Sequence, residues 1–323
     1  MYHYKELYSI VNSEIEKINF NKSPKNLYEP ITYSLKVGGK RIRPILCLMA
    51  SELFGGKIEN AISTAIGIEI FHNFTLLHDD MMDNADTRRN LPTIHAKWNK
   101  NIALLSGDAM SIIAYKYIGK YSENLEKVIN LFSETALQIC EGQQYDMDFE
   151  TSLNISEQDY IEMINLKTAI LLAASLKIGA ILANAKETDC DNLYKFGQNI
   201  GIAFQLKDDL LDVFGDINVF GKNIGGDIVS NKKTYLLIKA LELAQEPERT
   251  ELLNWINLKE FDAKEKIAAV KKIYESLNIK EFVEKQITNY FNEAWTYFDL
   301  INVDTIKKEA LKEFVEFLKS RDY

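Results

Sequence analysis

The stretch "IEMINLKTAILLAASLKIGAILA", residues 161–183, decides the fold, because as a helix it would be apolar on nearly every side. A helix without a polar face is typical of the buried interior of a helical bundle. A second stretch, "GIAFQLKDDLLDVFGD" at residues 201–216, has apolar side chains at helical spacing. These side chains are Ile202, Leu206, Leu210 and Val213.

The remaining sequence favours helices throughout. No proline lies between Pro92 and Pro247, and because proline disrupts helix interiors, this region can form long helices. Hairpin signals and clean alternation of apolar and polar residues are missing. We find neither a Ser/Gly-rich linker nor a fixed-period repeat. We therefore predict an all-α fold, a single large helical bundle formed by one domain over residues 1–323.

Composition excludes several classes of protein. The chain has 323 residues, of which 46% are hydrophobic and 26% charged, as in ordinary globular proteins. Its net charge of −9 argues against nucleic acid as a partner, because phosphate backbones require a basic surface. The widely spaced Cys47, Cys140 and Cys190 indicate neither a disulfide framework nor a zinc site. We find no signal peptide and no run of about 18 apolar residues, so we expect a cytoplasmic protein without a membrane anchor.

An acidic cluster lies in "LLHDDMMDNADTRRN", residues 76–90, where Asp79, Asp80 and Asp83 form a D-D-x-x-D pattern. On a helix these carboxylates line one side, about one turn apart. Such close like charges repel unless a cation, arginines or water lie between them. Magnesium commonly binds one or two carboxylates together with substrate phosphates. A solvated helix end is the alternative, although the apolar residues that precede the cluster weaken it.

The same pattern recurs about 130 residues later as Asp208, Asp209 and Asp212, with Gln205 one helical turn earlier. Two such clusters on two apolar helices are less probable by chance than one. If the helices face each other, their carboxylates would surround a cavity with an apolar floor. That arrangement suits an amphiphile with an anionic head and a hydrocarbon tail.

Basic residues could balance these charges. "GGKRIRP", residues 38–44, places Lys40, Arg41 and Arg43 at a plausible helix start, where free N–H groups favour anions. The Arg88-Arg89 pair follows the first acidic cluster, and arginine suits phosphate oxygens. Lys222, Lys232 and Lys233 follow the second cluster. Each residue alone also fits a solvated surface charge, but together they could bind two diphosphates.

The ordered motifs resemble those of trans-isoprenyl diphosphate synthases, the polyprenyl synthetase family that includes farnesyl and geranylgeranyl diphosphate synthases. The motifs are "GGKRIRP", "FHNFTLLHDDMMDNADTRR", "EGQQYD", "LKTA", "FQLKDDLLD" and "GKNIGGDI". The resemblance implies an all-α bundle of the isoprenoid synthase type with a deep central cavity, usually in a homodimer. It further implies that the six aspartates hold about three Mg²⁺ ions that bridge the allylic diphosphate.

Residue roles follow from the same resemblance. The isopentenyl diphosphate pocket would comprise Lys40, Arg43, His72 and Arg89. The contacts to the allylic diphosphate would be Arg88, Lys167, Lys222 and Lys232. Lys167, Thr168 and Gln205 would lie beside the allylic carbon, so these three residues and Arg88 are the expected catalytic residues. Gln143 and Asp146 would line the pocket.

Product length in this family depends on the residues four and five before the first aspartate, which are Thr75 and Phe74 here. One aromatic residue five before, without an insertion in D-D-x-x-D, resembles the geranylgeranyl type. Farnesyl diphosphate or longer products are the alternatives. An ideal helix separates Phe74 from Asp79 by about 140°, so this assignment depends on the resemblance.

Other functions remain open at this stage. A terpene cyclase or a head-to-head synthase would share the metal chemistry, but these enzymes lack "GGKRIRP" and usually have a less regular second acidic motif. A non-catalytic subunit of a heteromeric prenyltransferase would be expected to lose carboxylates from one cluster, and both clusters are complete here. A magnesium-dependent phosphate hydrolase would need a base that we cannot identify.

Overall fold

The computed structural model describes residues 1–120, 123–152, 154–215 and 224–320, and it confirms the all-α prediction. The helices are α1 (Tyr4–Glu16), α2 (Lys25–Lys36), α3 (Ile42–Leu53), α4 (Ile58–Met82), α5 (Ile94–Lys97), α6 (Lys100–Ile118), α7 (Leu125–Thr151), α8 (Glu157–Ile164), α9 (Ile170–Leu182), α10 (Glu187–Phe214), α11 (Gly226–Val229), α12 (Tyr235–Leu243), α13 (Glu248–Asn257), α14 (Ala263–Ser276), α15 (Ile279–Asp299) and α16 (Thr305–Lys319).

A short hairpin departs from the purely helical expectation. Strands β1 (Thr87–Arg88) and β2 (Leu91–Pro92) pair antiparallel, with Arg88 opposite Leu91. Arg89 and Asn90 form the turn with φ of 53° and 61°. Two-residue turns with positive φ match the twist of a hairpin, but they usually contain glycine. This turn uses an arginine and an asparagine instead, so the sequence contains no glycine signal for the hairpin.

The chain forms two compact units. Unit 1 comprises Met1–Ser133, Ala174–Asp191 and Asn302–Lys312, and unit 2 comprises Glu134–Ala173, Asn192–Ile301 and Glu313–Tyr323. The single domain over residues 1–323 and the deep central cavity stay predictions.

In unit 1, α4 packs most extensively against α6 and also against α3. Gly67 permits the close approach of α4 to α6, because a Cβ there would lie 2.8 Å from the carbonyl oxygen of Ala114. The core also contains an ion pair, in which Arg41 Nη1 lies 2.7 Å from Glu69 Oε1. Arg41 is only 4% exposed, so it belongs to the core rather than to a solvated basic surface.

In unit 2, α12 packs against α15, α8 and α14. The rings of Tyr160 and Tyr235 lie 6.4 Å apart, and the Tyr235 hydroxyl donates a hydrogen bond of 2.7 Å to Glu157. Lys239 Nζ also lies 2.5 Å from Glu157. These contacts fix the start of α8, the helix that leads towards Lys167.

The buried stretch that decides the fold is interrupted. Between α8 and α9, residues Asn165–Ala169 form a π-helix, so the continuous α-helix predicted over residues 161–183 has one wider turn. An 18-residue window within Glu157–Leu182 has a mean hydropathy of 1.5, so this segment is long and apolar enough to cross a membrane. However, 78% of that window is buried inside the protein, and a buried core helix passes the same test.

Candidate active site

The first acidic cluster lies at the C-terminal end of α4 in unit 1. Asp79 and Asp80 belong to its last turn, and Asp83 is the C-cap, whose N–H donates to the Asp79 carbonyl at 2.9 Å. The C-terminus of a helix carries partial negative charge. Three carboxylates at this end therefore require nearby cations.

Arg88 supplies one such cation. Its Nε lies 2.8 Å and 2.9 Å from the two oxygens of Asp80, and its Nη2 lies 3.5 Å from Asp79 Oδ2. The pKa of Asp80 is nonetheless raised, because burial outweighs the hydrogen bond and the charge of Arg88. Strand β1 thus places Arg88 at the first acidic cluster. Its role at the allylic diphosphate stays a prediction.

The predicted isopentenyl diphosphate residues lie close to this cluster within unit 1. Arg43 Nη1 is 3.0 Å from His72 Nε2. Burial lowers the pKa of His72 well below its ordinary value, and Arg43 and Arg89 lower it further. His72 is therefore neutral and can accept a hydrogen bond from Arg43. The Arg89 guanidinium lies against Gly39, where a Cβ would be 2.8 Å from its Nη1 atom.

Lys40 is exposed in the loop before α3, next to Gly38 and Gly39, which have positive φ. Arg41 differs from Lys40 and Arg43 because its side chain pairs with Glu69 in the core. Of the basic motif, Arg43 is thus placed beside His72, Lys40 is on the surface, and Arg41 is structural.

The second acidic cluster belongs to a hydrogen-bonded chain in unit 2. Thr168 Oγ1 lies 3.2 Å from Gln205 Oε1. Gln205 Nε2 donates to Asp209 Oδ1 at 2.9 Å. The Tyr160 hydroxyl donates a hydrogen bond to Asp209 Oδ2. Both oxygens of Asp209 thus accept protein hydrogen bonds, and its orientation is fixed by them.

Lys167 lies next to this chain. Its Nζ is 2.6 Å from Asp146 Oδ2, with both side chains about one-fifth exposed. Lys167 and Thr168 belong to the π-helix, a rare element that occurs frequently at functional sites. The structure therefore brings together Lys167, Thr168, Gln205 and Asp209, four of the predicted site residues.

Asp227 lies at the second acidic cluster, although the spacing of the aspartates did not indicate it. Its backbone N–H donates to Asp212 Oδ2 at 2.9 Å. Burial, and then the charge of Asp227, raises the pKa of Asp209 to about 7 and that of Asp212 to about 6. Lys232 lowers both pKa values, so its charge is also near.

In the sequence, the two glycines before Asp227 in the motif "GKNIGGDI" could have indicated its role. In the structure, the first of them, Gly225, has a φ of 87°. A left-handed glycine before an aspartate indicates a turn that aims the next N–H groups at an anion. Tyr160 had no comparable signal. Lys222 lies outside the described residues.

The donors fit a hard divalent cation. Over residues 1–120, 123–152, 154–215 and 224–320 no group of three or more His, Cys, Asp or Glu side chains is arranged to hold a metal ion. However, the raised pKa values of Asp209 and Asp212 come from burial and like charge. Both unfavourable effects would be relieved by a cation bound between carboxylates. Carboxylate oxygens are also the ligands that magnesium prefers.

The pH dependence of stability provides a test of this electrostatic arrangement. The folded pKa values of Asp209 and Asp212, about 7 and about 6, lie above their unfolded values. The folded state therefore holds protons that the unfolded state has released, and stability falls as pH rises from about 4 to about 7. Asp227→Asn removes the like charge but keeps the backbone N–H. In EDTA, we expect it to stabilise the protein at pH 8 by on the order of 1 kcal/mol, with less effect at pH 5.

Urea unfolding at the two pH values measures this difference, and the exposed Glu260→Gln in the same unit serves as the control. Equal stabilisation by Asp227→Asn at pH 5 and pH 8 would contradict the proposed repulsion.

The two residues predicted to limit product length lie in unit 1 on α4. The Phe74 ring packs against His78 at 4.7 Å between centroids and against Phe71 at 5.3 Å. The Thr75 hydroxyl donates to the His72 carbonyl at 2.8 Å. Phe74 thus belongs to an aromatic stack, whereas Thr75 is on the side of the helix that Asp79 occupies.

Comparison with known proteins identifies the family. A sequence model of the family described as polyprenyl synthetase matches residues 24–277. The chain belongs to the polyprenyl synthetase family. The resemblance drawn from the motifs is therefore confirmed, and the chain is a prenyltransferase.

Individual members of the polyprenyl synthetase family resemble the chain over most of its length. A geranylgeranyl diphosphate synthase of Methanosarcina mazei is 34% identical over 318 residues, which are 98% of this chain and 96% of that protein. A geranylfarnesyl diphosphate synthase of Aeropyrum pernix is 34% identical over 308 residues, which are 93% of this chain and 95% of that protein. The crystal structure of a geranylgeranyl pyrophosphate synthase superposes with a TM-score of 0.94 at 40% identity, covering 99% of both chains.

Proposed function

We propose that this prenyltransferase condenses isopentenyl diphosphate head-to-tail with an allylic diphosphate, releases diphosphate, and forms mainly geranylgeranyl diphosphate. The observation that carries the proposal is the cluster in unit 2, where Asp209 and Asp212 have raised pKa values beside the charge of Lys232. Buried carboxylates with raised pKa values, with the charge of Lys232 nearby, suit a metal-bound diphosphate. The geranylgeranyl diphosphate synthase among its relatives supports the product.

We assign the metal ligands to Asp79, Asp80 and Asp83 in unit 1 and to Asp208, Asp209 and Asp212 in unit 2. Magnesium bound there would neutralise charge on the leaving diphosphate and so ease cleavage of the allylic C–O bond.

The residues of the chain would bind and orient the two substrates. Arg88, Lys167, Lys222 and Lys232 would contact the allylic diphosphate as it leaves. Thr168 Oγ1 and Gln205 Oε1 lie 3.2 Å apart, and these oxygens would stabilise the allylic cation. Dipoles that are already in place when the charge develops usually make the largest single contribution to catalysis.

Isopentenyl diphosphate would bind to Lys40, Arg43, His72 and Arg89. The neutral His72 ring would hold the Arg43 guanidinium in position through their contact of 3.0 Å. The double bond of the bound isopentenyl group would form the new C–C bond with the allylic carbon, while the C–O bond to diphosphate breaks. The released diphosphate is then the base for the proton that leaves, so no protein base is required.

A magnesium-dependent assay tests the proposal. Isopentenyl diphosphate would be supplied with dimethylallyl, geranyl or farnesyl diphosphate, and the products would be sized by chromatography. We expect one main geranylgeranyl product from all three primers. A cyclic hydrocarbon or head-to-head product would reject the proposed reaction, and no turnover without an added protein would favour a non-catalytic subunit.

Product length provides a separate prediction. Phe74→Ala removes a ring that packs on Phe71 and His78, and we expect the main product to lengthen by one or more five-carbon units. The exposed Phe282→Ala is the matched control and should leave the product unchanged. Chromatography of the dephosphorylated alcohols measures the length. An unaltered product from Phe74→Ala would reject Phe74 as the stop.

We further propose a homodimer, and an exposed apolar face of α6 supports it. Leu104, Leu105 and Ile112 are 49%, 60% and 65% exposed within the single chain. Apolar residues exposed together often mark protein interfaces. Ile112→Glu should therefore shift the protein from dimer to monomer in sedimentation velocity, whereas the exposed Ile306→Glu should not. Dimers in both variants would exclude this face. A cytoplasmic location is also part of the proposal.

A further inference from the structure

We propose that Gly142 and Gly201 are positioning residues, at which α7 and α10 hold the π-helix so that Lys167 and Thr168 reach the allylic diphosphate. The proposal rests on the roles assigned to Lys167 and Thr168 under the proposed function. Both glycines and the π-helix belong to unit 2.

The two glycines contact the backbone of the π-helix directly. A Cβ on Gly142 in α7 would lie 2.4 Å from Lys167 N and 2.8 Å from Lys167 Cα. A Cβ on Gly201 in α10 would lie 2.5 Å from Ala169 Cα. Since real Cβ atoms do not approach other atoms so closely, any larger residue would force the π-helix and the helix that carries the glycine apart.

Each glycine is followed, one helical turn later, by the side chain that binds the π-helix. Asp146 is four residues after Gly142, and its Oδ2 lies 2.6 Å from Lys167 Nζ. Residues four apart share one face of a helix. The same face of α7 therefore provides both the close backbone contact and the partner of Lys167.

The arrangement repeats on α10. Gln205 is four residues after Gly201, and its Oε1 lies 3.2 Å from Thr168 Oγ1. Asp209 follows four residues later and accepts from Gln205 Nε2 at 2.9 Å. One face of α10 thus provides the backbone contact, the partner of Thr168 and a proposed metal ligand.

The close contacts of Gly142 and Gly201 account for the position of the π-helix between α8 and α9. π-Helical turns are rare and occur frequently at functional sites. A π-turn adds a residue to the helix and turns the side chains that follow it. The two glycines allow α7 and α10 to approach the added backbone closely enough for their own side chains to reach Lys167 and Thr168.

Gly142→Ala and Gly201→Ala test the proposal, with Gly179→Ala as the matched control. A Cβ on Gly179 would lie 2.1 Å from the carbonyl oxygen of Cys47, so the control is equally crowded, but in unit 1. Because a displacement of about 1 Å can cost about 100-fold in rate, we expect about 100-fold lower kcat for the two test variants. KM for isopentenyl diphosphate should change less than about threefold. Gly179→Ala should lower the melting temperature similarly and keep most of kcat.

A double-mutant cycle with Lys167→Ala separates positioning from general destabilisation. If the glycine acts through Lys167, Lys167→Ala should lower kcat strongly in the wild-type background but only a few-fold in the Gly142→Ala background. In the Gly179→Ala background the full effect of Lys167→Ala should remain.

The outcomes are distinguishable. If Lys167→Ala leaves the wild-type kcat unchanged, the proposed role of Lys167 fails. If Lys167→Ala lowers kcat by the same factor in the wild-type and the Gly142→Ala backgrounds, the positioning role of the glycine is wrong. Failure of both test variants to fold, while Gly179→Ala folds, would also overturn the proposal, because the glycines would then serve folding alone.

Discussion

Replacing Asp212 by asparagine is expected to lower kcat for prenyl condensation by about 10²- to 10³-fold without unfolding the protein. Asp212 Oδ2 accepts a hydrogen bond of 2.9 Å from the Asp227 N–H. The amide oxygen of asparagine can accept the same hydrogen bond, so the turn before α11 should persist. What is lost is the negative charge.

The size of the effect follows from the surroundings of Asp212. Burial and Asp227 raise its pKa to about 6, so in an assay at about pH 8 the carboxylate is ionised and carries an unfavourable charge that a cation would offset. The asparagine has no such charge to offer a metal. Because one misplaced charge-stabilising group can cost about 10²- to 10³-fold in rate, we expect the loss to persist at saturating magnesium.

The matched control lies on the same helix. Asp191 is also in α10, but its side chain is 59% exposed and pairs with Lys177 on the surface. Such surface pairs contribute little, so Asp191→Asn should keep kcat within about twofold. Initial rates at saturating substrates measure both variants. A kcat for Asp212→Asn within about threefold of the wild type would reject Asp212 as part of the site.

The sequence was sufficient for the features that depend on local spacing. Helical periodicity predicted the buried stretch over residues 161–183, and it placed Gln205, Asp209 and Asp212 on one helix because residues three and four apart share a face. The structure confirms the helices and finds Gln205 bonded to Asp209. The ordered motifs identified the family for the same reason, since each is a short local pattern.

The features that the sequence did not reveal depend on residues distant along the chain. Tyr160 reaches Asp209 across 49 residues, and no periodicity connects them. The π-helix at Lys167 packs closely against glycines in two other helices, and a single stretch of sequence could not indicate these contacts.

The "GGKRIRP" motif shows the same limit. Its three basic residues differ in environment, because the left-handed backbone of Arg41, with φ of 50°, starts α3 and directs this side chain into the core. Lys40 stays exposed and Arg43 meets His72. Sequence alone cannot show which of three positive charges within four residues is structural and which two are candidate ligands.

Replacing Arg41 by methionine is therefore expected to lower the free energy of unfolding by about 3–5 kcal/mol. The Arg41 and Glu69 side chains are only 2% and 4% exposed. Arg41 also donates to Asn12 at 3.1 Å and to the Leu35 carbonyl at 2.7 Å. Methionine would leave the Glu69 carboxylate buried without its cation, and an uncompensated buried charge is more costly than the loss of the pair itself.

A double variant distinguishes this cause from lost packing. If the penalty comes from the buried charge, Arg41→Met combined with Glu69→Leu should recover much of the stability, because a buried ion pair replaced by apolar residues is often neutral. Lys280→Met breaks the exposed pair with Glu284, where both side chains are more than half exposed, and should cost less than about 1 kcal/mol. Urea unfolding monitored by circular dichroism measures all three. If the double variant were no more stable than Arg41→Met, the destabilisation would come from the lost hydrogen bonds to Asn12 and Leu35, and Arg41 would act mainly by tying α1 and α2 to the start of α3.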